Sequence, residues 1–164
     1  MATPGATPAP RWRARVVVVS DSVAAGVRED QGGPALCAAL ERAGALVEAV
    51  VVSPDGIEAV ADTLRAQSAG FDGLIVTTGG TGFGPRDLTP EGTRRVIDRD
   101  APGLAEAMRV VNPLGRLSRG VAGTMARTLV LNVPGSPTGA VECLEAVLDV
   151  VPHALALLAG GRPH

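Results

Sequence analysis

The chain has 164 residues, 46% hydrophobic and 20% charged, proportions that suit one soluble globular domain with a real core. A formal net charge of −2 leaves no basic footprint for DNA or RNA, and aromatics at 2% (Trp12, Phe71 and Phe83) offer no stacking platform for single strands. All 15 basic residues are arginine, which excludes a P-loop lysine, a Schiff-base lysine and a lysine general base.

Residues 1–10 are rich in Ala, Thr and Pro and carry no large apolar group after Met1. They predict a disordered tail, drawn to residue 12, ahead of a single domain over 13–164. The β-branched run at 15–20 reads as a short buried strand. A glycine-containing loop over 21–33 follows, and Pro34 suits the first turn of a helix. Leu36, Cys37, Leu40 and Ala43 give that helix one apolar face, with Gly44 as its stop. A second strand spans 46–52. Ile57, Val60, Ala61 and Leu64 then fall at helical spacing behind Asp55, with Glu58 in the capping-box position. A third strand covers 73–77. Thr89-Pro90 supplies a cap and a pre-set first turn for a helix through 98, and 104–111 forms a shorter one. A strand at 129–131 leads into the turn Val133-Pro134-Gly135-Ser136-Pro137. One long helix follows, with Val141, Leu144, Leu148, Val151, Leu155 and Leu158 on a single face and a kink at Pro152. Buried strands alternating with amphipathic helices predict a three-layer α/β/α sandwich with a mainly parallel central sheet.

Ligands on such sheets bind at the carboxyl ends of the strands. Three loops lie there: Ser20-Asp21-Ser22, residues 78–87, and residues 132–136. The second holds Thr77-Thr78-Gly79-Gly80-Thr81-Gly82, where glycine permits positive φ and close approach, and exposed N–H groups form an anion site. This suggests a phosphate-bearing ligand, although a tight turn without one has the same composition. Asp87 suits Mg²⁺ or a hydrogen bond to its own backbone. Arg86 suits a phosphate or open solvent. Asp55 reads first as the cap of its own helix, a role compatible with metal binding. Ser118 is a hydroxyl beside a glycine. Pro134-Gly135-Ser136 offers either donors at a helix N-terminus or a plain serine cap.

Several chemistries lack their residues. The Gly80-x-Gly82-x-Gly84 spacing is not a dinucleotide fingerprint, and the first strand ends in Ser20-Asp21-Ser22 instead. No Ser–His or Cys–His pair presents itself. Cys37 and Cys143 lie on apolar helical faces and read as small buried hydrophobes in a reducing interior. His153 and His164 make no metal cluster with them. Without a signal-like apolar segment or a membrane-length run, a cytoplasmic protein is expected.

In order along the chain stand Val18-Val19-Ser20-Asp21-Ser22, residues 30–36, Thr78-Gly79-Gly80-Thr81-Gly82, Pro85-Arg86-Asp87-Leu88-Thr89-Pro90-Glu91, residues 102–109, Leu117-Ser118-Arg119-Gly120 and Asn132-Val133-Pro134-Gly135-Ser136-Pro137. Together they resemble the molybdopterin adenylyltransferase family, the MogA/MoaB group of molybdenum cofactor biosynthesis proteins, over nearly everything after residue 14. Gly32 departs from the pattern, since relatives often carry serine there. The resemblance implies transfer of AMP from ATP to the terminal phosphate of molybdopterin, with Mg²⁺ assisting and pyrophosphate released. It implies catalytic and metal-binding roles for Asp55 and Asp87. It implies substrate binding by Ser20, Thr78, Gly79, Gly80, Thr81, Gly82, Ser118, Asn132, Pro134, Gly135 and Ser136. It also implies a homotrimer, or a hexamer, and a downstream metal-insertion protein as recipient of the product. A binding or scaffold protein of the same pathway would carry the same turns, and so would a general nucleotide-binding domain in part.

Overall fold

The computed structural model describes residues 11–162. Its centre is β1 (Trp12–Val19), where Val16 and Val18 point to one face of the sheet and Val17 and Val19 to the other. Both faces are covered over residues 16–19, so that half of the strand can be apolar at every position instead of alternating. β1 pairs in parallel with β2 (Ala45–Ser53) on one side and β3 (Gly73–Thr78) on the other. β3 is buried throughout and pairs in parallel with β6 (Thr128–Val133). Two short strands, β5 (Ala122–Met125) and β4 (Arg99–Asp100), extend this edge antiparallel, giving the order β2-β1-β3-β6-β5-β4.

The expected three layers are present. One face carries α2 (Gly32–Arg42), α5 (Pro102–Arg109), α6 (Pro137–Glu145) and α7 (Val151–Leu158) over a core that includes Leu36, Leu40, Met108, Leu144 and Val151. The other carries α3 (Ile57–Ser68), through Val60 and Leu64, with Val96 and Ile97 beyond the end of α4 (Thr89–Arg94) packed beside them. A one-turn helix α1 (Asp21–Ala24), capped by Ser20 Oγ on the Val23 N–H, opens the first loop. A 3₁₀ segment, Pro113–Leu117, follows α5.

Five expectations are corrected. β1 starts at Trp12, which pairs with Ala45 and packs on the core, so this residue belongs to the domain and not to the tail. Residues 1–10 and His164 lie outside the described residues. Asp55 does not cap α3: Gly56 occupies the cap position with φ 117°, and no side chain bonds the first turn. Thr89 does not cap α4 either, because it is already helical and its hydroxyl donates to Gly79 O at 2.8 Å; α4 also ends at Arg94 and not at 98. The C-terminal helix is two helices. Pro152 sits in the first turn of α7, where a missing N–H is harmless, and the chain turns ahead of it. β4 and β5 were not expected.

Candidate functional site

β3 ends in buried Thr77 and Thr78, and the chain then turns through Gly79 (φ 101°) and Gly80 (φ 68°). A Cβ at Gly79 would lie 2.3 Å from Val19 O, and one at Gly80 would lie 2.3 Å from Thr89 Oγ1. Only glycine fits either position. Thr78 Oγ1 donates to Pro134 O, the Gly79 N–H to Val133 O and the Thr89 N–H to Gly80 O, which ties the turn to the end of β6 and the start of α4. The Gly79 N–H is therefore not a ligand donor. The N–H groups of Gly80, Thr81 and Gly82 have no acceptor among the described residues.

Asp21 and Asp55 lock the ends of β1 and β2 together. The Asp21 N–H donates to Asp55 Oδ2 at 2.9 Å, and the Asp55 N–H donates to Asp21 Oδ1 at 3.0 Å. Arg86, expected on a phosphate or in solvent, instead donates from Nε and Nη2 to the Asp21 carboxylate and from Nη2 to Asp55 O. Its guanidinium holds the Asp21 carboxyl below the usual carboxylate range. Burial pushes the Asp55 carboxyl up, and the charges of Asp21 and Asp87 add to the rise against the pull of the Asp21 N–H and Arg86. Asp87 accepts the Gly84 N–H on Oδ2 at 2.8 Å, the local bond expected of a loop aspartate.

These groups line a polar recess of about 200 Å³ that includes Ser20, Asp55, Thr78, Gly79, Gly80, Asp87 and Gly135. Gly80, Asp87 and Gly135 also border a larger lobe of about 540 Å³. Its walls include Thr81, Gly82, Ser118, Pro134 and Ser136, together with Leu114, Leu117, Glu142 and Cys143. Ser136 caps α6 through the Gly139 N–H, and Ser118 Oγ accepts the Gly120 N–H. Thus the two lobes gather every residue expected at the site except Asn132. That side chain is 2% exposed and lies beneath the cleft, accepting the Val121 N–H and donating to Thr77 Oγ1 and Thr93 Oγ1.

Sequence reasoning missed the residue that braces the loop. Arg119 donates its backbone N–H to Thr81 O, Nε to Gly82 O (2.8 Å) and Nη2 to Asp87 O (2.5 Å), and Nη1 pairs with Glu91. Its only sequence signal is its place between Ser118 and Gly120. Among the described residues no group of three or more His, Cys, Asp or Glu is arranged to hold a metal ion. Asp55 and Asp87 each commit Oδ2 to a backbone N–H, and Asp55 Oδ1 lies beside Gly80. Such a pair does not make a resident metal cage. It does fit a divalent ion that keeps waters and arrives with phosphates.

The family model described as "Probable molybdopterin binding domain" matches residues 15–153. The chain is 39% identical over 167 residues to the molybdopterin adenylyltransferase of Haemophilus influenzae, covering 88% of this chain and 83% of that protein. It is 36% identical over 152 residues to the molybdenum cofactor biosynthesis bifunctional protein of Chlorobaculum tepidum, of which it spans 49% while 90% of this chain is covered. The crystal structure of the molybdopterin biosynthesis enzyme MoaB from Thermus thermophilus superposes with a TM-score of 0.85 at 48% identity, over 91% of this chain and 97% of that one. The fold, the glycine turn and these matches together make the chain a member of the molybdopterin-binding domain family of molybdenum cofactor biosynthesis proteins.

Proposed function

We propose that the chain is a molybdopterin adenylyltransferase. In this reading a terminal phosphate oxygen of molybdopterin attacks the α-phosphorus of ATP. The bond from that phosphorus to the bridging oxygen of the β-phosphate breaks, and pyrophosphate leaves with the electron pair. Adenylylated molybdopterin is the product. The observation that carries the reading is the meeting of Asp55, Asp87 and the open amides at 80–82 where the two lobes join. Two anionic substrates can lie there with their phosphates against one turn.

Reactions of this kind need positioning and charge neutralisation more than covalent help. The N–H groups of Gly80, Thr81 and Gly82 hold phosphate oxygens, and the N-terminal end of α6 adds its dipole. Asp55 and Asp87 would hold Mg²⁺, which supplies charge neutralisation on the triphosphate when bound. Arg119 keeps Gly82 and Asp87 in register. The test is pyrophosphate release from purified protein with molybdopterin, ATP and Mg²⁺. Release that depends on the pterin is expected. Asp87→Asn, which can still accept the Gly84 N–H, should lower turnover by about 100-fold or more while molybdopterin still binds. Near-normal turnover in that variant removes Asp87 from the mechanism, and pterin binding without any release by the unaltered chain makes it a binding protein.

A further inference from the structure

The larger lobe contains a carboxylate to which adenylyl transfer assigns no task. Glu142 lies in the second turn of α6, half-buried, beside Leu114, Leu117 and Cys143. Among the described residues it joins no ion pair. Among the described residues its one side-chain hydrogen bond is long, 3.4 Å from Asn112 Nδ2 to Oε2, and Oε1 has no donor. Asn112 Oδ1 accepts the Leu114 N–H at 2.9 Å, so the amide is oriented with its NH₂ toward Glu142. A carboxylate set into an apolar wall is stabilised by N–H donors, best by two that lie parallel.

Two heterocycles compete for this lobe. A pterin presents N3–H and a 2-amino N–H side by side on its pyrimidine edge, with the 4-oxo group next to them. Those two donors match two carboxylate oxygens, and the oxo group matches an amide NH₂. Adenine presents a donor at N6 next to an acceptor at N1, whose lone pair would face a carboxylate oxygen. Glu142 stands five residues beyond Pro137, roughly 7.5 Å along the helix axis. That separates it from the Pro134-Gly135-Ser136 turn by about the width of a fused bicyclic ring.

We propose that Glu142 is a specificity-determining residue that accepts the N3–H and 2-amino N–H of the pterin, seats that ring in the larger lobe and turns adenine away. The proposal rests on the adenylyltransferase reading only for the presence of a pterin. The probes are 6-hydroxymethylpterin phosphate and 6-hydroxymethyl-lumazine phosphate, the latter with a carbonyl in place of the 2-amino group. Each is titrated calorimetrically against the full chain and Glu142→Gln, with ATP titrated in parallel.

The unaltered chain should prefer the pterin by about tenfold or more, the ratio expected when a charge-assisted hydrogen bond is replaced by facing lone pairs. Glu142→Gln, whose amide has one donor and one acceptor, should lose most of that preference by gaining lumazine affinity. Its ATP affinity should hold or rise, because that amide now matches adenine N6–H and N1. Equal affinities in the unaltered chain, or binding of neither probe, overturns the proposal whether or not the variant folds. An unchanged ratio in a variant that still binds ATP overturns it as well. Pterin-dependent pyrophosphate release alongside those results leaves the enzyme reading standing. The tenfold preference without any release sinks the enzyme reading and leaves this one.

Discussion

Asp55 is held where its charge is uncomfortable. Burial and the nearby Asp21 and Asp87 raise its folded pKa above the value of a free aspartate. The unfolded chain therefore loses this proton at lower pH than the folded one, so ionisation of Asp55 destabilises the fold as pH rises through the folded value. Asp55→Asn can still accept the Asp21 N–H. It should raise the unfolding temperature at neutral pH while pyrophosphate release falls, and the gain should vanish below the usual carboxylate range. Thermal melts from pH 3 to 8 check this, and a loss of stability at neutral pH would contradict it. Arg119 works in the opposite sense, by fixing geometry. A lysine there keeps the charge but cannot bond Gly82 O, Asp87 O and Glu91 together. Arg119→Lys should lower kcat/KM by about 10–100-fold through misplacement of the loop, with the melt shifted by only a few degrees, as steady-state kinetics and calorimetry would show. The glycine turn was legible because positive φ and a short hydroxyl are local chemistry. Asp21, Arg86 and Arg119 were not, because their partners lie 34, 65 and 28 to 37 residues away and no periodicity marks such pairs.

Among the elements, the long apolar ones were readable and the small ones were not. β1 at 16–19, β3 at 74–78 and β6 at 128–131 are continuous β-branched and aliphatic runs buried on both faces, which no helix of that length would explain. β5 reads Ala-Gly-Thr-Met, poor in strand formers, and exists because β6 offers it a partner. Its hairpin turns through Ala126-Arg127, without the glycine or asparagine that would announce a turn. Ala126 pays for this with φ 51°, the one positive φ among described non-glycine residues. A left-handed alanine is strained by about 1–2 kcal/mol, and glycine gives back about 0.5–1 kcal/mol in chain entropy. Ala126→Gly should thus stabilise the domain by about 0.5–1 kcal/mol, with the Ala126 N–H bond to Asp98 retained. Urea unfolding measures it, and a destabilised variant would show that the turn is relaxed. The misread helix caps share another cause. Asp55 and Thr89 have the right composition and position, but Asp21 and Gly79, distant in sequence, claim their side chains.

At the level of the whole molecule, the cleft sits where the topology requires one. From β1 the chain crosses through α2 on one face to β2, then through α3 on the other face to β3, which lies on the opposite side of β1. The outward connections diverge between β1 and β3, and a crevice opens at their carboxyl ends. Ser20 and Gly79 stand at that fork, and Gly135 approaches from β6 so closely that a Cβ on it would lie 3.4 Å from Gly79 Cα. Because four strands and the N-terminal ends of two helices converge there, ligands in the cleft cross-link the folded core and bind the unfolded chain poorly. Molybdopterin at 100 times its Kd should add about 2.7 kcal/mol, a rise of roughly 5–10 °C for a domain of this size. The two lobes meet at Asp87 without merging, so ATP with Mg²⁺ should raise the melting temperature further in the presence of saturating pterin. In Asp87→Asn the pterin increment should survive and the Mg²⁺-dependent part of the ATP increment should disappear. Competition between the two ligands, seen as a combined shift no larger than that of saturating pterin alone, would place both in one lobe and break the division of the cleft.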